Sequence, residues 1–205
     1  KLLTEARLTH SGLQVYGTPR RLTLLATDLA PRQPDAERIV KGPAADRAFD
    51  AAGKPTPAAV GFAKKNNVAV EALEKRDNYV VAVVREKGRP AGEVLAELLP
   101  KLTAAIKFDK TMRWNASGVA FSRPIRWFVA LLGAEVVPFT YAGTDSGRVS
   151  RGLRPYGSPD VTIDSAERYM ETLRGAGILL DSTERARSVE IEVKQLAASV
   201  GGEAL

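Results

Sequence analysis

Residues 101–127 read KLTAAIKFDKTMRWNASGVAFSRPIRW and carry most of the excess positive charge of the chain. Six of them are basic and Asp109 is acidic, which gives this stretch +5 of the +6 carried by the whole protein. The basic residues are Lys101, Lys107, Lys110, Arg113, Arg123 and Arg126. Trp114 and Trp127 lie among them, and cations interleaved with aromatic rings suit phosphate contact and base stacking. We call residues 101–127 the basic segment and predict that it meets a polyanion.

A second interpretation of the basic segment treats it as ordinary protein surface. If Ile125 opens a strand, Trp127 and Val129 share its buried face while Arg126 points the other way. Both tryptophans then belong to the core, and the cations form a solvated face. The residues alone leave both interpretations open.

Composition limits the class of protein. A chain of 205 residues with 44% hydrophobic content can bury one large core or two small ones. The absence of cysteine excludes disulfides, thiolate zinc sites and cysteine nucleophiles. No apolar run reaches transmembrane length, and the charged start KLLTEARLTH lacks a signal-peptide core, so we expect a cytoplasmic protein without membrane contact. The first residue is not methionine, and we expect a fragment of a longer protein.

The pattern of the chain predicts an α+β fold, with a mainly antiparallel sheet and flanking helices. Helices are predicted at 1–10, 57–66, 90–107, 165–174 and 182–200, with Pro100 kinking or splitting the third. Strands are predicted at 13–16, 21–29, 37–42, 79–85 and 160–163, and as a hairpin of 125–132 with 135–141. We expect two subdomains, 1–110 and 111–205, which could also form one continuous domain.

The last predicted helix carries an apolar stripe. Val189, Val193, Leu196 and Val200 recur at spacings of four, three and four residues, which places them on one face. This face is expected either to pack on the preceding sheet or to stay exposed until a further part of a longer subunit covers it.

Other arginines could add to a phosphate-binding surface. Arg20 ends the turn predicted between the strands 13–16 and 21–29, and Arg21 begins the second strand, so the pair serves phosphate contact or simply solubility at a strand edge. Arg148, Arg151 and Arg154 cannot all follow one phosphate track without a bend at Gly152, because alternate strand residues face opposite ways. The candidate nucleic-acid-binding residues are Lys107, Lys110, Arg113, Trp114, Arg123, Arg126, Arg148, Arg151 and Arg154.

Catalytic patterns are missing from the sequence. There is no paired-acid motif, nucleophile elbow, metal-ligand cluster or glycine-rich nucleotide loop. We therefore predict no catalytic residue, no metal site and no cofactor within this chain, and favour a binding or scaffold role.

A series of short motifs carries a family resemblance. They are Thr18-Pro19-Arg20-Arg21-Leu22, Lys41-Gly42-Pro43, Ala48-Phe49-Asp50, Gly53-Lys54-Pro55, Gly61-Phe62-Ala63, Met112-Arg113-Trp114, Phe121-Ser122-Arg123-Pro124-Ile125-Arg126-Trp127 and Arg151-Gly152-Leu153-Arg154. In this order, the chain resembles the N-terminal part of the β subunit of bacterial heterotetrameric glycyl-tRNA synthetase. It departs at Leu153, where relatives commonly have histidine, so no role of that histidine carries over.

The resemblance implies a division of labour. Glycine activation with ATP and Mg is expected at the α subunit, and the expected partners of this chain are tRNA(Gly), the α subunit and the remainder of the β subunit. This chain would then be a non-catalytic, tRNA-contacting and architectural part of glycine-tRNA ligase. The alternatives are a protein-interaction scaffold without tRNA contact and a hydrolytic editing domain.

The editing alternative comes from a similarity of the family's N-terminal region to the B3/B4 domain of phenylalanyl-tRNA synthetase, which edits misacylated tRNA. Glycine is the smallest amino acid, so a tight activation pocket excludes larger side chains by overlap and a second hydrolytic sieve is not needed. This argument disfavours editing.

Overall fold

The computed structural model describes residues 1–50 and 52–204 and confirms the α+β class with mainly antiparallel sheets. Its strands are β1 (Gly12–Thr18), β2 (Arg21–Thr27), β3 (Ala36–Ala44), β4 (Leu73–Arg76), β5 (Tyr79–Glu86), β6 (Phe128–Val129), β7 (Leu131–Leu132), β8 (Glu135–Val136), β9 (Thr140–Tyr141), β10 (Thr144–Gly147), β11 (Val149–Arg151) and β12 (Asp160–Thr162). Its helices are α1 (Leu2–Glu5), α2 (Ala45–Ala48), α3 (Pro57–Lys65), α4 (Ala91–Ala105), α5 (Tyr169–Gly175) and α6 (Ser182–Ser199).

The chain divides into two compact units. One unit comprises Lys1–Pro31 with Ala91–Leu205, and the other comprises Arg32–Pro90. This division differs from the expected boundary at residue 110, because residues 32–90 close their own sheet and core while the basic segment stays with the larger unit.

The smaller unit is a three-stranded antiparallel sheet with the order β3-β5-β4. Val80 of β5 is fully buried against Ala48 of α2 and Ala59 of α3. Thr56 occupies the N-cap position of α3, but its hydroxyl donates to the carbonyls of Arg47 and Ala48 instead of accepting from the helix. Thr56 therefore ties α3 to the end of α2.

The larger unit contains four small sheets. β1 and β2 correspond to the predicted strands 13–16 and 21–29, and they pair as a hairpin with Val15 opposite Leu24. β7 pairs with β8, β11 pairs with β12, and β10 lies between β6 and β9. The pair β6–β10 is parallel, whereas the other strand pairs of the described chain are antiparallel.

The predicted hairpin of 125–132 with 135–141 is confirmed around its turn, where β7 pairs with β8, but it is much shorter than predicted. Strand β6 begins at Phe128, and the chain switches partners at Ala130, whose N–H donates to Gly147 and whose carbonyl accepts from Val137. Residues 125–127 lie outside any strand, so the expected alternation of faces at Trp127 does not apply. Trp127 is half-buried and Arg126 is exposed.

Helix α4 packs an apolar face into a hydrophobic core of the larger unit. Val94, Leu95 and Leu98 are buried, together with Leu8 and Val137. Pro100 lies inside α4 without splitting it into two helices. Ile106, which continues the same three- and four-residue spacing, lies beyond the helix end and is 37% exposed, so the buried part of the stripe ends at Leu98.

Two helix predictions are wrong in their extent. Helix α1 ends at Glu5 rather than His10, because Arg7 adopts a left-handed conformation and the chain turns to bury Leu8. Helix α5 begins at Tyr169 rather than Ser165. No helix in residues 1–50 and 52–204 is long and apolar enough to cross a membrane.

Helix α6 has an unburied apolar stripe. Asp181 caps it by accepting from the N–H groups of Thr183 and Glu184, each at 2.9 Å. No residue of the helix is buried, and Val193 and Leu196 are 48% and 68% exposed. Of the two expected arrangements, the one that leaves the stripe uncovered is observed.

The substitution Val193→Asp is therefore expected to leave the melting temperature nearly unchanged, since exposed positions contribute within about 0.5 kcal/mol. It should also remove any concentration-dependent association that runs through this stripe. Thermal melting combined with sedimentation measures both effects. A clear fall in melting temperature would contradict the exposed position of Val193.

Candidate nucleic-acid interface

The basic segment begins in the last turn of α4 and continues as a loop from residue 106 to residue 127. Met112 and Phe121 close it through two backbone hydrogen bonds of 2.8 and 3.1 Å. The rings of Phe108 and Phe121 meet edge to face at 4.6 Å between centroids. These contacts hold the two arms of the loop together and fix the positions of the residues between them.

The tip of the loop is tied to the turn between β9 and β10. The side-chain amide of Asn115 donates to the carbonyl of Ala142 at 2.7 Å. The hydroxyl of Ser117 donates to the Asn115 side-chain oxygen at 2.6 Å. Gly118 takes a left-handed conformation, with φ of 69°, and its carbonyl accepts from Arg113 Nε at 2.9 Å. The loop therefore has a defined shape at its tip.

Most cations of this loop are not neutralised by the protein. Lys107, Lys110, Arg123 and Arg126 are exposed, and their side chains make no hydrogen bond or ion pair with any residue in the described ranges. Arg113 is also exposed and uses one N–H on Gly118. An unneutralised group of this kind attracts polyanions and releases counterions when it binds one.

The two tryptophans of the basic segment are both half-buried, but their surroundings differ. Trp114 lies on the loop between Arg113 and the anchoring Asn115. Trp127 lies under two cations, the guanidinium groups of Arg20 and Arg21, at 5.8 and 5.6 Å from its ring centroid. Sequence reasoning placed Arg20 and Arg21 only at a turn and the start of a strand, and did not connect them with Trp127.

The three later arginines are not equivalent. Arg148 donates to the carbonyls of Asp164 and Ala134 at 3.1 and 2.9 Å, and Arg151 forms an ion pair with Asp160. Arg154 is exposed in a short 3-10 helix, Arg154–Tyr156. Their inclusion in one phosphate-binding surface stays a prediction, and Arg148 and Arg151 would need to release or share their contacts with the protein.

The comparisons with known proteins agree over the whole chain. A family model described as glycyl-tRNA synthetase beta subunit matches residues 1–205. The chain belongs to that family. It is 44% identical to a glycine–tRNA ligase beta subunit of Desulforamulus reducens over 98% of its length, and 42% identical to that of Geobacter metallireducens over 100%. It is also 45% identical to glycine–tRNA ligase, chloroplastic/mitochondrial 2, of Arabidopsis thaliana over 98% of its length.

This member of the glycyl-tRNA synthetase beta subunit family covers a limited part of its relatives. The chain spans 30% of the two bacterial proteins and 19% of the Arabidopsis protein. The comparisons therefore confirm the family resemblance drawn from the motifs, and they show that the chain corresponds to only part of the related proteins.

Leu153, where the family resemblance breaks down, has a packing role in this family member. Its side chain is half-buried against the core formed by Ile163, Leu173, Ile178 and Leu180. A Cβ atom on Gly177 would lie 3.1 Å from the Leu153 side chain, which leaves little spare room there. An apolar side chain fits this environment because it needs no hydrogen-bond partner.

The part of the chain that the structure describes contains no group of three or more His, Cys, Asp or Glu side chains placed to hold a metal ion.

Sequence reasoning found the basic segment through its charge. It missed the cluster at Trp127, whose members come from distant parts of the chain.

Proposed function

We propose that this chain supplies a tRNA-contacting surface within glycine–tRNA ligase, in the cytoplasm, with tRNA(Gly) as its partner. The observation that carries the proposal is the unneutralised basic segment. Lys107, Lys110, Arg123 and Arg126 are exposed and unpaired, and they flank the part of the loop that is closed between Met112 and Phe121. Arg113 and Trp114 lie within the same loop and could add a phosphate contact and a stacking surface.

The imbalance of charge in the basic segment also supports this proposal. A solvated face in an ordinary domain usually mixes both signs, so that cations lie near carboxylates. In the basic segment a single acid, Asp109, accompanies six bases. Such a local excess raises the local concentration of an anionic partner and accelerates its association.

The experiment that tests this proposal is a salt titration of tRNA binding. Three to five cation–phosphate contacts should give a log–log slope between about −2 and −4 in added salt. Fluorescence anisotropy with labelled tRNA(Gly), from about 50 to 200 mM salt, covers the range in which this slope is measurable. Absent binding, or binding that does not respond to salt, would reject the surface as a tRNA contact.

We also propose that ATP-dependent glycine activation, with its Mg, belongs to the α subunit. The purified chain is expected to give no pyrophosphate exchange into ATP above background. The sequence contains no nucleotide-binding loop, and the described residues form no metal-ligand group. Exchange assays with and without the α subunit check this expectation, and exchange by this chain alone would overturn it.

A protein-interaction scaffold is the second candidate function, and a specific observation favours it. The outer face of the β1–β2 hairpin exposes Leu13, Val15, Leu22 and Leu24, with Val15 75% exposed. Apolar faces of this kind commonly meet other protein surfaces. The α subunit and the remainder of the β subunit are the partners we propose for it. Tight subunit association without salt-dependent tRNA binding would favour the scaffold over the tRNA contact.

A further inference from the structure

Arg21 is a buried cation without an acidic partner. Arg21 is 9% exposed, and no carboxylate in residues 1–50 or 52–204 forms an ion pair with it. Its Nη2 donates to the backbone carbonyl of Arg151, whereas its buried Nε has no hydrogen-bond partner. Buried charges in proteins are normally paired, because an unpaired charge loses its hydration without replacement.

A second cation lies beside Arg21 on the same indole ring. The guanidinium groups of Arg20 and Arg21 approach Trp127 to 5.8 and 5.6 Å from its centroid. Arg20 donates to the Gly152 carbonyl at 3.2 Å and to the Ser158 hydroxyl at 3.1 Å. The hydrogen-bond acceptors around both guanidinium groups are therefore neutral, and the pair keeps its two positive charges.

Two hydroxyl groups complete the surroundings. Thr23 follows Arg21 on the same face of β2 and is 8% exposed, and its hydroxyl lies 3.4 Å from the Tyr169 hydroxyl. Burial lowers the pKa of Arg21 and the charge of Arg20 acts in the same direction, while Tyr169 opposes them. An anion at this place would relieve the repulsion between Arg20 and Arg21.

We propose that Arg21 and Arg20, beside Trp127, form a binding site for a phosphate group. Guanidinium N–H groups match the oxygens of a phosphate in charge and direction, and the unpartnered Nε of Arg21 supplies a donor. The group could be free phosphate or a phosphodiester of RNA. Trp127 directly follows Arg126 of the basic segment, which favours RNA as the source. The identity of the source rests on the proposed function, whereas the phosphate site itself does not.

Trp127 can report on this site by its fluorescence. In a Trp114→Phe background it is the one remaining tryptophan of the chain. Phosphate is titrated against chloride at constant ionic strength, and a short oligoribonucleotide is titrated separately. We expect a saturable change in emission with phosphate and with the oligoribonucleotide, and none with chloride, because an anion between the two guanidinium groups alters the field at the indole.

The substitution Arg21→Gln should weaken the phosphate response about tenfold, which is the effect of losing one charge-assisted hydrogen bond. Arg20→Gln should weaken it as well, and the exposed Arg187→Gln on α6 is the matched control that should leave it unchanged. If Arg21→Gln does not fold by circular dichroism, Arg21→Lys and Arg20→Gln carry the test, since both keep a cation in the cluster.

The outcomes separate this site from the proposed function. An unchanged phosphate response in the folded Arg21 and Arg20 variants, or an equal response to chloride, would overturn the site and leave Arg21 as a purely structural contact. A response to phosphate but not to the oligoribonucleotide would keep the site and reject RNA as its source. The double substitution Lys107→Glu/Lys110→Glu should weaken the oligoribonucleotide response while leaving the response to inorganic phosphate in place.

Discussion

Reversing the charge of Lys107 and Lys110 together is expected to weaken tRNA binding strongly at low salt and to reduce the salt slope by about two. Both side chains are exposed and have no partner among the described residues. Each substitution therefore replaces a phosphate attraction with a repulsion without breaking a contact inside the protein. Anisotropy with labelled tRNA gives the affinity, and circular dichroism checks the fold.

A matched double reversal separates the effect of position from that of net charge. Lys54→Glu/Lys87→Glu makes the same change in charge in the smaller unit, at two exposed lysines. It should alter tRNA affinity much less than the change in the basic segment. If Lys107→Glu/Lys110→Glu leaves affinity unchanged while the fold is intact, the scaffold function is favoured instead.

The substitution Ile163→Ala is expected to lower the free energy of unfolding of the larger unit by about 2–5 kcal/mol. Ile163 is fully buried against Leu173, Ile178 and Leu180. Its backbone N–H donates to the Arg148 carbonyl at 2.9 Å, so the lost side chain leaves a cavity directly beside β11 and β12. Urea unfolding followed by tryptophan emission measures the change, because both tryptophans belong to this unit.

The control for this prediction is Ile191→Ala on α6, the same change at a residue that is 49% exposed. It should cost no more than about 0.5 kcal/mol. Similar losses at the two positions would show that the four-residue cluster around Ile163 does not form the core described above.

Local patterns predicted the parts of the fold that local chemistry determines. The β1–β2 hairpin, the buried face of α4 through Leu98 and the extent of helix α6 follow from residue spacing and turn residues. The prediction of a helix over residues 1–10 was too long, because burying Leu8 outweighed helix propensity over a short stretch. The hairpin of 125–132 with 135–141 is shorter than predicted, because the Ala130 N–H donates to the Gly147 carbonyl. The spacing of residues does not reveal that partner.

In the candidate site, too, the sequence predicted the features that depend on local residues and missed those that depend on distant contacts. The excess of charge in the basic segment is visible in the sequence, and the unpaired state of its lysines agrees with that pattern. The contacts of Arg21 with Arg151, 130 residues further along the chain, and with Trp127 are created by tertiary folding. The contacts of Arg148 with the carbonyls of Ala134 and Asp164 likewise depend on how β11 is placed.

Crosslinking of the chain to tRNA(Gly), with the modified peptides identified, tests the central claim most directly. We expect the crosslinked peptides to come from residues 107–126 of the basic segment, and their yield to fall as salt is raised. Crosslinks confined to the smaller unit, or a yield in the basic segment that does not exceed that of an unrelated exposed surface, would contradict the proposed tRNA contact.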